Sequence, residues 1–163
     1  MKNTKEHLPV YGIGPLLCYP MAALSAIGIV LAKKGIIPSV AENAAINNIM
    51  TVVGVILMIE GVLLFFGADL NGALKDNIKQ NKLKTNGSYK FVRNPCYFLF
   101  LSGCTGALLI AHDPFLLVLP PIFYIWMTLI LKNTEEKWLT ELYGEEYIEY
   151  CKRVNRCIPW FSR

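Results

Sequence analysis

The chain has 163 residues, 54% of them hydrophobic and 17% charged, with a mean hydropathy of +0.40. That length implies one domain, 1–163. Its apolar runs exceed what one small core can bury, which excludes an ordinary soluble domain and makes lipid the expected solvent. The net charge of +4 calls for no nucleic-acid partner, because no nucleic-acid motif accompanies it and the basic flanks of membrane spans account for it.

Taken in order, the first apolar run covers 8–32 and carries no charge. It is long enough to span with some tilt, since a span needs about 20 residues. Pro15 and Pro20 lie inside it, as membrane helices tolerate. The run is too long for a cleaved signal peptide, and its start, with Lys2, Lys5 and Glu6, does not have that character. A second run, 49–66, is interrupted only by Glu60. The polar segment that follows, Asp69 to Arg93, repeats Leu70, Leu74 and Ile78 at helical spacing among Lys and Asn, which predicts an amphipathic helix on the membrane surface. Thr85-Asn86-Gly87-Ser88 is the turn cluster that ends it.

Pro95 is placed to open a third span, 95–111, the shortest of the four. His112-Asp113-Pro114 breaks the run, and a fourth span follows over 114–131, with Pro120-Pro121 expected to bend it. In the tail, 132–163, Trp138, Leu139, Leu142, Tyr143, Tyr147, Ile148 and Cys151 form an apolar stripe, with Gly144 as a break between two helices. The fold class is therefore an all-α membrane bundle of about four transmembrane helices with amphipathic cytoplasmic segments.

Lys and Arg counts set the expected orientation. With the N-terminus inside, 14 basic residues lie on inner segments and only Lys33 and Lys34 lie outside. Both termini are thus expected in the cytoplasm, in the cell membrane of a bacterium or the endoplasmic reticulum of a eukaryote. The five cysteines, Cys18, Cys96, Cys104, Cys151 and Cys157, are odd in number and lack zinc-type spacing. Free thiols and no metal site are expected.

Three patterns fall on the same side: Gly87-x-Tyr89-x-x-Val92-Arg93-Asn94-Pro95-x-Tyr97, Glu135-Glu136, and Tyr143-Gly144-Glu145-Glu146-Tyr147 followed by Arg153-Val154 and Pro159. Each alone has a plain explanation. Arg93 is a basic flank, the glutamates suit a helix's first turn, and Tyr97 is an interface anchor. In this order they resemble the isoprenylcysteine carboxyl methyltransferase family of membrane methyltransferases, to which phospholipid N-methyltransferases are more distantly related. The resemblance covers roughly residues 83–161.

The resemblance implies S-adenosylmethionine as methyl donor and a lipophilic small molecule or lipid as acceptor. It places Tyr89, Arg93, Asn94, Tyr97, Glu135, Glu136, Tyr147 and Arg153 around the donor. Arginine suits the donor's carboxylate, and a glutamate suits its ammonium or ribose hydroxyls. Asn94 stands where the family has histidine. If that histidine accepts a proton, the function is lost here; if it only donates a hydrogen bond, an asparagine amide replaces it.

A carboxylate acceptor is ionised at neutral pH and needs no base, so alignment of nucleophile, methyl carbon and sulfur carries much of the chemistry. An amine or phenol acceptor would need one, and Glu136 or Glu60 would be the candidates. Glu60, an ionisable residue within a span, is a functional candidate by position. Glu60 and Arg153 are the catalytic candidates. Gly103, Gly106 and Ala107 suggest close helix packing. Two other readings remain: a donor-binding or inactive protein that kept the fold, and a membrane reductase using a nicotinamide cofactor.

Overall fold

The computed structural model describes residues 13–37, 43–69 and 82–159. Among them the chain is helical, apart from turns and one isolated parallel bridge. Helix α1 covers Gly14–Lys33 and α2 covers Ala44–Asp69. After a 3-10 turn at Gly87–Lys90 come α3, Pro95–Ile110, a second 3-10 turn at Pro114–Val118, and α4, Leu119–Asn133. Two short helices end the order, α5 over Glu135–Tyr143 and α6 over Glu145–Arg153.

The local chemistry explains the boundaries. Asn43 caps α2, its Oδ1 accepting from the N–H groups of Ala45 at 3.0 Å and Ile46 at 3.3 Å. Pro95 sits in the first turn of α3, where its missing N–H is no loss. Asp113 accepts from Phe115 N at 2.9 Å and starts the second 3-10 turn. The Pro120-Pro121 pair does not bend a helix from within. It falls in the first turn of α4, the position that favours proline. Gly144 separates α5 from α6 at φ +56°.

Three segments are long and apolar enough to cross a membrane: Gly14–Lys33, Ala44–Ala68 and Pro114–Tyr143. The fourth, α3, has 16 residues, about 24 Å of helix, short of a hydrocarbon core of about 30 Å. The expected amphipathic helix falls largely on 70–81, outside the described residues. Residues 160–163 of the tail also lie outside them.

Helix α3 is the hub. One face meets α1 and α4: Leu17, Cys18 and Met21 share a buried cluster with Tyr97, Leu101, Cys104 and Leu108, closed by Phe123, Met127, Leu131 and Cys157. Another face meets α2 so closely that the backbones nearly touch. A Cβ on Gly54 would lie 2.7 Å from the Gly106 carbonyl oxygen, and one on Gly106 would lie 2.6 Å from that of Gly54. Small residues permit this approach, as expected between helices in lipid. Gly103 is different, since no described residue lies within 4 Å of where its Cβ would be. The outward side of α2 exposes Val52, Ile56, Ile59, Leu63 and Phe66, an apolar surface that water would not favour and lipid would. This is an all-α membrane bundle.

Candidate functional site

Five segments converge where α1 and α3 begin and α4 ends. The tail returns there, and Val92 and Asn155 form a parallel bridge. The Arg93 amide donates to the Asn155 carbonyl at 2.9 Å and the Asn94 amide donates to the Arg156 carbonyl at 3.0 Å. This pairing delivers the side chains of Arg93 and Arg156 to one carboxylate.

That carboxylate is Glu136, in the first turn of α5. Arg156 holds it with Nε to Oε1 at 2.6 Å and Nη2 to Oε2 at 2.8 Å. Arg93 Nη1 reaches Oε1 at 3.0 Å. The Arg93 side chain is 8% exposed, so its charge depends on these partners. Its guanidinium also donates to the Tyr147 hydroxyl at 3.3 Å and to Cys151 Sγ, and lies 5.9 Å from the Tyr147 ring centre. One buried atom of the cluster, Arg93 Nε, has no hydrogen-bond partner among the described residues.

Glu135 builds a second node. Its Oε1 accepts from the Tyr97 hydroxyl at 2.6 Å and from the Ile13 amide at 2.9 Å, tying the starts of α1, α3 and α5 together. Tyr150 donates to the Tyr89 carbonyl at 2.6 Å and anchors α6 to the 3-10 turn. Burial raises the hydroxyls of Tyr147 and Tyr150 well above the usual tyrosine range, while Arg93 pulls both the other way. Burial also raises the Cys151 thiol, against the pull of Arg93. It pushes Cys157 up to about 12. The hydrogen bond to Glu136 raises Arg156.

Of the residues singled out from sequence, Arg93, Asn94, Tyr97, Glu135, Glu136 and Tyr147 come together here. Tyr89 joins through its main-chain carbonyl. Glu60 stands apart, half-buried on α2 beside the contact of Gly61 with Ser102 and Leu99. Arg153 is exposed in the last turn of α6, with Glu149 and Tyr150 as its charged and polar neighbours. The structure does not bring it to Glu136. Arg156 takes that place, although from sequence it was counted only as a basic flank. No local signal singled it out: Arg156 lies past the end of α6, where the pairing of the returning tail rather than a helix face sets its direction.

A recess of about 340 Å³, lined by Lys132, Glu136, Lys137, Thr140 and Glu141, opens beside the cluster. It is at the small end of the range for ligand sites, and Glu136 is its link to the buried arginines.

The geometry thus defines a polar, arginine-rich centre on the end of a membrane bundle. Residues 49–146, more than half of the chain, match the phospholipid methyltransferase family model. The chain belongs to the phospholipid methyltransferase family.

Among curated proteins, it is 35% identical over 79 residues to methanethiol S-methyltransferase 1 of Bradyrhizobium diazoefficiens, covering 48% of this chain and 27% of that protein. Identity is also 35% over 72 residues to the phosphatidylethanolamine N-methyltransferase of Lachancea thermotolerans, covering 44% of this chain and 9% of that one. The chain therefore spans less than a third of either protein. A longer match, 24% identity over 149 residues, covers 88% of this chain and 75% of protein-S-isoprenylcysteine O-methyltransferase B of Arabidopsis thaliana. No solved structure matches.

Proposed function

We propose that this protein is an S-adenosylmethionine-dependent methyltransferase acting on a lipophilic acceptor, with a carboxylate as the group methylated. The observation that carries the reading is the Arg93–Glu136–Arg156 cluster, in which the motif residues Arg93 and Glu136 meet an arginine of the tail, within a chain of this family. The donor's chemistry fits the residues present. Arg93 keeps one buried donor atom without a partner, and Arg93, Glu135 and Glu136 offer both charge signs to a molecule that carries a carboxylate, an ammonium and a ribose diol.

Bound there, the donor supplies an electrophilic methyl carbon on a sulfonium. The chain's own task is to bind, align and exclude water. Arg93 would hold the donor's carboxylate through its unpaired edge. Glu135 and Tyr97 would meet its polar groups, and the Tyr147 ring would give one wall. Both oxygens of Glu136 already accept from guanidinium groups, so Glu136 is committed to fixing two arginines rather than to taking up a proton. This favours an acceptor that arrives as an anion. A carboxylate acceptor would need no residue of the chain to remove a proton, so Arg93, Glu135, Tyr97 and Tyr147 would have only to hold and align the donor. Glu60, within a span, is the candidate for contact with the acceptor's polar end.

The same reading places both termini in the cytoplasm, by the Lys and Arg bias, and has the acceptor enter sideways from lipid.

Calorimetric titration of the purified protein with S-adenosylhomocysteine tests the donor. Saturable one-to-one binding is expected, and a folded protein that does not bind would overturn the reading. Transfer of labelled methyl to a prenylated thiol-acid then tests the acceptor: label released by mild base marks a methyl ester, whereas base-stable label marks an amine or thiol product.

A further inference from the structure

We propose that Asn94 is a positioning residue, whose side-chain amide fastens the C-terminal segment so that Arg156 meets Glu136. Because it takes that ion pair as part of the donor site, this inference rests on the function proposed above.

Asn94 is the residue before Pro95 and occupies the N-cap position of α3. An asparagine at that position ordinarily turns its side-chain oxygen onto the N–H groups of its own helix. Here it makes no such bond. Its Nδ2 donates instead to the Arg156 carbonyl at 3.0 Å, the same oxygen that accepts from the Asn94 main-chain amide at 3.0 Å. A carbonyl oxygen has two acceptor sites, and one residue fills both. The partner is an oxygen, so the donating atom must be the amide nitrogen and the orientation of the side chain is set. The residue gripped in this way is the one whose guanidinium closes on Glu136.

The requirement at position 94 is therefore for a donor. In asparagine Nδ2 is bonded to Cγ, as Nδ1 is in histidine, so a histidine protonated on Nδ1 reaches the same carbonyl. A histidine at position 94 would then do the same work as the asparagine of this chain. An aspartate of equal size would set an anion against the carbonyl, and an alanine would leave one of its two sites empty.

The test compares Asn94→Ala, Asn94→Asp and Asn94→His in the full chain by hydrogen exchange and by S-adenosylhomocysteine titration. The reporters are the amides of Arg93 and Asn94, which donate to the returning tail. Without donor present, the Ala and Asp variants should exchange at these amides about tenfold faster, with α2 unchanged, and His should restore the native rate. Affinity for S-adenosylhomocysteine should fall about tenfold in Ala and Asp and return in His. None of the variants removes a main-chain donor or acceptor, so the helical signal should be retained; if Asp alone unfolds, Ala and His decide. Unchanged exchange in Asp and Ala, or a His variant that behaves like Asp, would overturn the proposal. If the exchange pattern holds but the native protein binds no S-adenosylhomocysteine, the latch stands and the donor reading fails. If it binds but exchange does not respond, the latch fails and the donor reading stands.

Discussion

Arg156 grips Glu136 through two nearly parallel bonds, Nε to Oε1 at 2.6 Å and Nη2 to Oε2 at 2.8 Å. The fork shape of guanidinium makes this a directional bond as well as a charge pair. Both side chains are largely shielded, at 19% and 14% exposure, so water screens the pair less than it would at a surface.

Arg156→Ala should therefore destabilise the protein by about 1.5–3 kcal/mol, less than for a fully orphaned carboxylate because Arg93 still holds Glu136. Arg153→Ala removes an exposed side chain and should stay within about 0.5 kcal/mol of the native protein. Thermal unfolding in detergent reads both. S-adenosylhomocysteine affinity should drop at least about tenfold in the first and little in the second. The reverse order would return the donor site to Arg153.

The seam between α2 and α3 gives a second contrast. Gly106→Ala drives a methyl into the Gly54 carbonyl. Backbone cannot rotate away as a side chain can, so the helices must part, at about 1–3 kcal/mol. Gly103→Ala meets open space on the same helix and should be neutral or slightly stabilising, by up to about 1 kcal/mol. Thermal midpoints of the two variants in one detergent check this.

These contrasts also show what the sequence could reveal. The apolar runs that become α1, α2 and α4 were legible because charge gaps follow from lipid solvation at the level of single residues. The gathering of Arg93, Glu135, Glu136 and Tyr147 was legible from the order of motif elements. Arg156 was not, because its placement follows from the pairing of 92–94 with 155–156, a contact between distant segments that leaves no local periodicity. The division of labour between Gly103 and Gly106 was hidden for a similar reason: both read as small residues on one helix, and only the approach of α2 distinguishes them.

Alkaline pH should weaken the packing of the tail. Cys157 is buried, and its pKa rises from 9.0 to about 12 on folding. A group whose folded pKa is raised favours the protonated, folded form. Its contribution is fully present below pH 9 and is lost as pH rises towards 12. The raised thiol of Cys151 and hydroxyls of Tyr147 and Tyr150 act in the same direction. Thermal midpoints should fall progressively above pH 9, and the slope should be shallower in Cys157→Ala. An identical slope would mean that Cys157 stays unionised or already meets solvent.

The bond between Tyr97 and Glu135 permits a sharper test, since its two ends can be altered separately. Tyr97→Phe keeps the buried ring and deletes the donor at 2.6 Å, leaving the Glu135 carboxylate with the Ile13 amide. Losing a hydrogen bond to a charged group costs about 1.5–3 kcal/mol. Glu135→Gln retains an acceptor oxygen for Tyr97 and loses only the charge, so about 1 kcal/mol is expected. Because the substitutions meet at one bond, the double variant should cost less than the sum of the singles. Additive costs would show that the bond is not formed in detergent. If Glu135 also contacts the donor, Glu135→Gln should weaken S-adenosylhomocysteine binding by more than its small effect on stability suggests, while Tyr97→Phe should affect both together.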